Sequence, residues 1–99
     1  MLTGKQKRFL RSEAHHLSPI FQVGKGGVND HMLKQISEAL EVRELLKVSI
    51  LTNNEDDKNE VASKLAKGTK SELVQLIGLT VVLYKPSKEN KKIVLPAKG

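Results

Sequence analysis

The stretch Ile20-Phe21-Gln22-Val23-Gly24-Lys25-Gly26-Gly27-Val28-Asn29-Asp30 decides how this chain is organised. Its first four residues read as a short buried strand, and an amphipathic pattern begins near Asn29, so the three glycines at 24, 26 and 27 fall at a strand-to-helix junction. Glycine reaches positive φ without steric cost and leaves backbone amides uncovered. A helix starting just beyond would aim its unpaired first-turn amides and the positive end of its dipole at the same spot, with Lys25 as a charge on the tip. Such a loop is a potential phosphate seat. Short glycine turns are common and few bind anything, so these residues alone favour an ordinary tight turn, and the rest of the chain has to decide between the two.

Downstream, Asn29 is a good N-cap and Asp30 suits a first turn. Met32, Leu33, Ile36, Ala39 and Leu40 then share one helical face, with Lys34, Glu38 and Glu41 opposite. Leu45 to Leu51 is the clearest strand, Leu46, Val48 and Ile50 alternating with Lys47 and Ser49. Thr52-Asn53-Asn54 reads as a turn. Asn54 is expected to cap a helix whose first turn is acidic (Glu55, Asp56, Asp57), whose buried stripe is Val61, Ala62, Leu65 and Ala66, and which Gly68 ends. The acids are explained by capping and need no catalytic role. Leu73 to Ile77 and Leu79 to Tyr84 read as two strands joined tightly at Gly78, or as one strand with a glycine bulge, and Pro86 stops the run.

Upstream, a helical pattern runs from Thr3 or Gly4 to about Leu17, where Ser18-Pro19 ends it. Leu2, Phe9, Leu10 and Leu17 share its apolar arc, interrupted by Gln6 and Glu13, while Lys7, Arg8, Arg11 and His15 fill the opposite one. The tail beyond Lys85 carries Lys88, Lys91, Lys92 and Lys98 around a short Ile93-Val94-Leu95. It either adds an edge strand or stays loose. The expected order is a helix followed by βαβαββ, in a single α/β domain of residues 1–99. Two strand-helix-strand units predict parallel neighbours with right-handed crossovers and a final antiparallel pair, giving a small mixed four-stranded sheet with helices packed on it.

The chain carries 17 Lys and Arg against 11 Asp and Glu, a net charge of +6, and the surplus is segregated. Residues 1–34 sum to +4, residues 35–60 to −4 and residues 61–99 to +6. Two basic ends around an acidic middle are the footprint of a polyanion binder. There is no cysteine, hence no disulfide or thiolate metal site, which fits a reducing cytoplasm. No stretch approaches the roughly 18 apolar residues of a membrane span, so a soluble, unexported protein is expected.

Catalysis finds little support. The serines lack a G-x-S-x-G context, adjacent His15 and His16 cannot chelate as an i, i+4 pair would, and His31 adds no recognisable metal motif. The glycine loop lacks both the Walker spacing and the dinucleotide fingerprint. No cofactor, metal or small-molecule substrate is expected. With Phe9, Phe21 and Tyr84 as the whole aromatic inventory, and at least two of them expected in the core, the chain has no platform for stacking bases. Nucleic-acid binding should therefore be led by the phosphate backbone and depend strongly on salt.

Several dispersed motifs carry a resemblance. Leu-Thr-Gly-Lys-Gln-Lys-Arg-Phe-Leu-Arg at 2–11, Pro19 before an apolar strand, Gly-Lys-Gly-Gly at 24–27, Glu44-Leu45-Leu46-Lys47-Val48, and Val74-Gln75-Leu76-Ile77-Gly78 ending in Leu83-Tyr84 resemble the CRM domain, named for chloroplast RNA splicing and ribosome maturation. The chain is most similar to its bacterial single-domain, YhbY-like form, over roughly residues 2–86. The resemblance implies an α/β fold similar to the C-terminal domain of translation initiation factor three, and RNA binding through a GxxG loop, here Gly24, Lys25, Gly26 and Gly27. It also implies a role on precursors of the large ribosomal subunit. On this reading the RNA-binding set is that loop with Lys5, Lys7, Arg8, Arg11 and Lys47, in a cytoplasmic, non-enzymatic monomer. Charge alone leaves two other readings open: a DNA-binding architectural protein, and a basic protein-interaction module.

Overall fold

The computed structural model describes residues 2–97, so Lys98 lies outside the described residues. The order is α1 (Gly4–Ala14), β1 (Phe21–Val23), α2 (Asp30–Arg43), β2 (Leu45–Ile50), α3 (Lys58–Thr69), β3 (Glu72–Ile77) and β4 (Thr80–Tyr84). The four strands form one mixed sheet in the order β1-β2-β4-β3, with β1 parallel to β2 and β4 antiparallel to both of its neighbours. Only the first strand-helix-strand unit joins neighbours. The second places β3 one strand further out, because the two-residue turn Gly78-Leu79 folds β4 back between β2 and β3. Gly78 has φ +57 at the first central position of that turn, a left-handed conformation that favours glycine.

Alternation sorts the side chains to two faces. Val23, Leu46, Val48, Ile50, Val81 and Leu83 pack under α2 and α3 with Ile36, Leu40, Val61, Ala62 and Leu65, forming the larger core. On the other face Leu45, Val74, Val82 and Tyr84 pack against Leu10 and Ala14 of α1, and Ile93 and Leu95 of the tail close the edge. A register shift between Leu73 and Gln75 lets Val74 join this second core.

Four expectations need correction. Helix α1 stops at Ala14 with His15 as its cap, leaving Leu17 outside and 38% exposed. Its sheet-facing stripe is Gln6, Leu10 and Ala14; Gln6 belongs there because its side chain is fully used. It accepts from Thr3 N while Thr3 Oγ1 accepts from Gln6 N, a capping box, and its Nε2 donates to Pro96 O at 3.0 Å. Helix α3 is capped by Asp57, which accepts from Asn59 N and Glu60 N, and Asn54 is used elsewhere. Gly68 does not end α3. It lies inside the helix, where a Cβ would come within 2.6 Å of Leu33 on α2, and the helix closes at Lys70 in the left-handed region. Finally, β1 begins at Phe21, and Ile20 is 42% exposed.

The tail is neither a strand nor loose. Glu44, fully buried, accepts from the backbone N–H groups of Ser87 (2.9 Å), Lys92 (2.6 Å) and Ile93 (2.8 Å). Glu41, one turn earlier, accepts from Lys88 N, Glu89 N and the Ser87 hydroxyl. Burial alone would raise the Glu44 carboxyl, but the three donated backbone N–H groups and the charge of Lys91 outweigh it and hold the group below its ordinary value. Glu41 is likewise held low, by the Lys88 backbone N–H first and the Ser87 hydroxyl second.

Because both folded values lie below the ordinary 4.5, the stability these carboxylates contribute is complete above that pH and is lost as pH falls through the lower folded values. Glu44→Gln, which sets an amide NH2 among three backbone donors, should cost about 2 kcal/mol at neutral pH. It should also flatten the acid limb of the stability profile, read by urea unfolding across the acid range. Amide exchange at Ser87, Lys92 and Ile93 should rise in the variant while the α2 and α3 core stays protected.

Candidate nucleic-acid interface

Residues Gly24 to Gly27 form a β-turn, closed by Gly27 N donating to Gly24 O at 3.0 Å, with Lys25 and Gly26 exposed at its tip. Gly27 alone of the four has positive φ, at +71. The loop is braced from the β2–α3 connection. Asn54 Nδ2 donates to Gly24 O at 2.9 Å, Leu51 N to Val23 O at 2.8 Å, and Asp56 Oδ2 lies 3.3 Å from where a Cβ on Gly27 would stand. This is where Asn54 is used. Helix α2 starts three residues beyond the turn, and Asn29 already accepts from its Met32 N at 2.9 Å. Asp30 and Asp56 put negative charge beside the loop, and the loop's own cation is Lys25.

The loop leaves the sheet at the same end as Gln22, Ser49, Thr80 and Ile77, a cross-strand row on the α1 face. Helix α1 does not reach this row. It crosses diagonally: Leu2 N donates to Glu72 at the start of β3, and Lys47 Nζ on β2 donates to Leu17 O just past the helix, at 3.0 Å. Glu13 and Leu17 border a cleft with Leu45, Arg43, Lys92 and Ile93 at the far end of the sheet. Lys7 and Arg11, on the opposite flank of the Gln6-Leu10-Ala14 stripe, therefore turn toward the uncovered half-face.

One surface thus runs from the glycine tip and Lys25, across Gln22, Ser49 and Thr80, to Lys47, Lys7 and Arg11. Of the other residues singled out from sequence, Arg8 points outward and folds over Gly4, its Nη1 3.7 Å from where a Gly4 Cβ would stand, and Lys5 is exposed on the Glu13 side of the helix. Gln22, Ser49 and Thr80 were not singled out. Period-two alternation places them on one face, but only the diagonal path of α1 leaves that part of the face open. Among the described residues no cluster of three His, Cys, Asp or Glu could hold a metal, and no helix is long and apolar enough to cross a membrane.

Three helices on a four-stranded mixed sheet, with a strand-borne glycine turn beside an open polar half-face and a basic helix flank, define a small α/β domain. Residues 2–85 match the CRS1 / YhbY (CRM) domain, and the chain belongs to that family. It is 75% identical over 96 residues to "Probable RNA-binding protein YqeI" of Bacillus subtilis (strain 168), covering 97% of this chain and 100% of that one. A Haemophilus influenzae relative named "RNA-binding protein" is 40% identical over 97 residues, covering 98% and 97% of the two chains. The solution structure of SAV1595 from Staphylococcus aureus has the same fold, with TM-score 0.81 and 62% identity over 97% of this chain and 100% of that one.

The loop geometry separates two neighbouring substitutions. A Cβ at Gly26 meets nothing within 4 Å and no strained φ, so Gly26→Asp should fold like wild type and weaken binding of a polyanion. Gly27→Ala should lose about 1 to 2 kcal/mol of stability from its left-handed φ alone. Lys7→Ala with Arg11→Ala should lower the slope of log affinity against log salt by roughly 0.7 to 0.9 per lost phosphate contact. Lys5→Ala, on the other flank, should lower it less. Binding titrations over a salt series with matched thermal melts check all of these.

Proposed function

We propose that this protein binds ribosomal RNA within precursors of the large ribosomal subunit and assists their assembly without catalysing a reaction. It acts as a cytoplasmic monomer. The observation that carries the reading is the continuity of the glycine turn, the uncovered row Gln22, Ser49 and Thr80, and the cations Lys47, Lys7 and Arg11 on one side of the sheet. Cations and exposed loop amides suit phosphates, and hydroxyl and carboxamide side chains between them suit ribose 2′-hydroxyls, which both donate and accept. The names of the Bacillus and Haemophilus relatives support RNA as the partner. The match to bacterial relatives along nearly their whole length favours the ribosome over intron splicing as the setting.

Such a surface reads shape more than sequence, because it holds no exposed Phe, Tyr or Trp on which to stack a base. Crosslinking in cells followed by sequencing of the attached RNA tests the ribosomal target. Recovered reads should concentrate on large-subunit ribosomal RNA, and the protein should sediment with precursor particles and not with mature subunits. Reads spread over messenger RNA would sink the ribosomal role and leave RNA binding standing. Competition at fixed salt separates the DNA reading: structured RNA should displace a labelled RNA at lower concentration than duplex DNA of equal length.

A further inference from the structure

The clamp on the tail does more than cover a core edge. Helix α2 has 14 residues, about 21 Å, so its C-terminal Arg43 lies on the order of 20 Å from the glycine loop at its other end. Beside Arg43, the buried Glu44 takes the backbone N–H groups of Lys92 and Ile93, and thereby fixes where the tail passes. Arg43 and Lys92 border one cleft of about 300 Å³ with Leu45 and Ile93, and Lys91 is near enough to Glu44 for its charge to act on it. All three cationic side chains are exposed. Arg43 and Lys92 have no ion-pair partner among the described residues, although Glu13 borders the same cleft. A lysine-rich tail left free would lose conformational entropy on meeting a ligand; this one is ordered in advance.

We propose that Arg43, Lys91 and Lys92 form a second phosphate-backbone site, which binds a separate segment of RNA from the one on the glycine-loop surface. The proposal rests on the RNA-binding reading above and extends it: with sites at both ends of α2, one protein molecule holds two RNA segments together. The occupant follows from charge complementarity. Three cations on a pinned backbone suit phosphates, and the cleft is too shallow and too mixed in lining to enclose a small ligand.

The test is a sandwich capture with the full chain. One hairpin oligoribonucleotide is immobilised, the protein is loaded at low salt, and a second, labelled hairpin of unrelated sequence is added. Wild type should retain the labelled strand. The triple variant Arg43→Ala, Lys91→Ala, Lys92→Ala should still load on the immobilised RNA but capture about tenfold less of the labelled strand. The tail is held through backbone groups and carboxylates, so these three side chains can be removed with the clamp in place, and unchanged exchange protection at Ser87 and Ile93 verifies it. Loading of wild type without capture of a second strand, or equal capture by the triple variant, overturns the proposal and leaves the first surface intact. No loading of wild type removes both readings. If a polyglutamate peptide displaces the labelled strand as well as unlabelled RNA of equal charge does, the cluster belongs to an acidic protein partner and the proposal fails.

Discussion

The carboxylate of Glu44 is the interaction on which the tail, the α2–β2 reversal and the second core all depend. The residue has φ +65, where a helix running straight into a strand would favour glycine. Its backbone N–H still closes α2 on Leu40 O, and its carbonyl accepts from Lys85 N, tying the reversal to the end of β4. A glutamate there carries a backbone strain on the order of 1 to 2 kcal/mol and the desolvation of a buried charge. Glycine would avoid both. What glycine cannot supply is an anion aimed at three backbone donors, and charge-assisted bonds of that kind outweigh the strain.

The consequence reaches α1 through the tail. With residues 87–93 fixed, Ile93 and Leu95 close the core under α1, and Pro96 O receives the Gln6 amide. Gln6 is the same residue whose carbonyl caps the helix, so the chain's C-terminal stretch and the start of α1 share one side chain. At the other end of the helix, Lys47 holds the Leu17 carbonyl. An 11-residue helix is too short to be stable alone in water, and its angle over the sheet is set by these end contacts and by Leu10 and Ala14 between them.

Where a residue's neighbours in sequence decide its role, the sequence was legible. The alternation of Leu46, Val48 and Ile50, the Asn29 cap and the strand–glycine–helix junction are local, and all of them stand in the structure. That the glycine turn sits at a strand-to-helix junction and that Lys7 and Arg11 share a helix flank is legible for the same reason; that they hold RNA is the proposal made above. What escaped depended on partners far along the chain. Gln6 reads as an interruption of an apolar stripe because its acceptor is 90 residues away, and nothing near Glu44 in sequence marks its role because its donors lie more than 40 residues on. The acidic turn after Asn54 makes it read as a cap, whereas Gly24 O, brought alongside by the parallel β1–β2 pair, takes its amide. The insertion of β4 between β2 and β3 was hidden too, since local pattern gives strand identity but not strand order.

These long-range ties bear on how such a small surface would bind RNA as proposed. It offers no stacking platform, and isolated cations on flexible stems lose much of their Coulomb gain to side-chain ordering and salt. The structure answers by fixing the backbone beneath the charges. The glycine turn is braced by Asn54 and Leu51, α1 is held at both ends, and the tail lysines ride on a loop locked to two carboxylates. Only the side-chain torsions would then remain to be ordered on binding, and the spacing between cationic groups is set before any polyanion arrives. A rigid array of charges selects a partner by the shape of its phosphate backbone, and a folded RNA offers such a shape where a flexible strand does not.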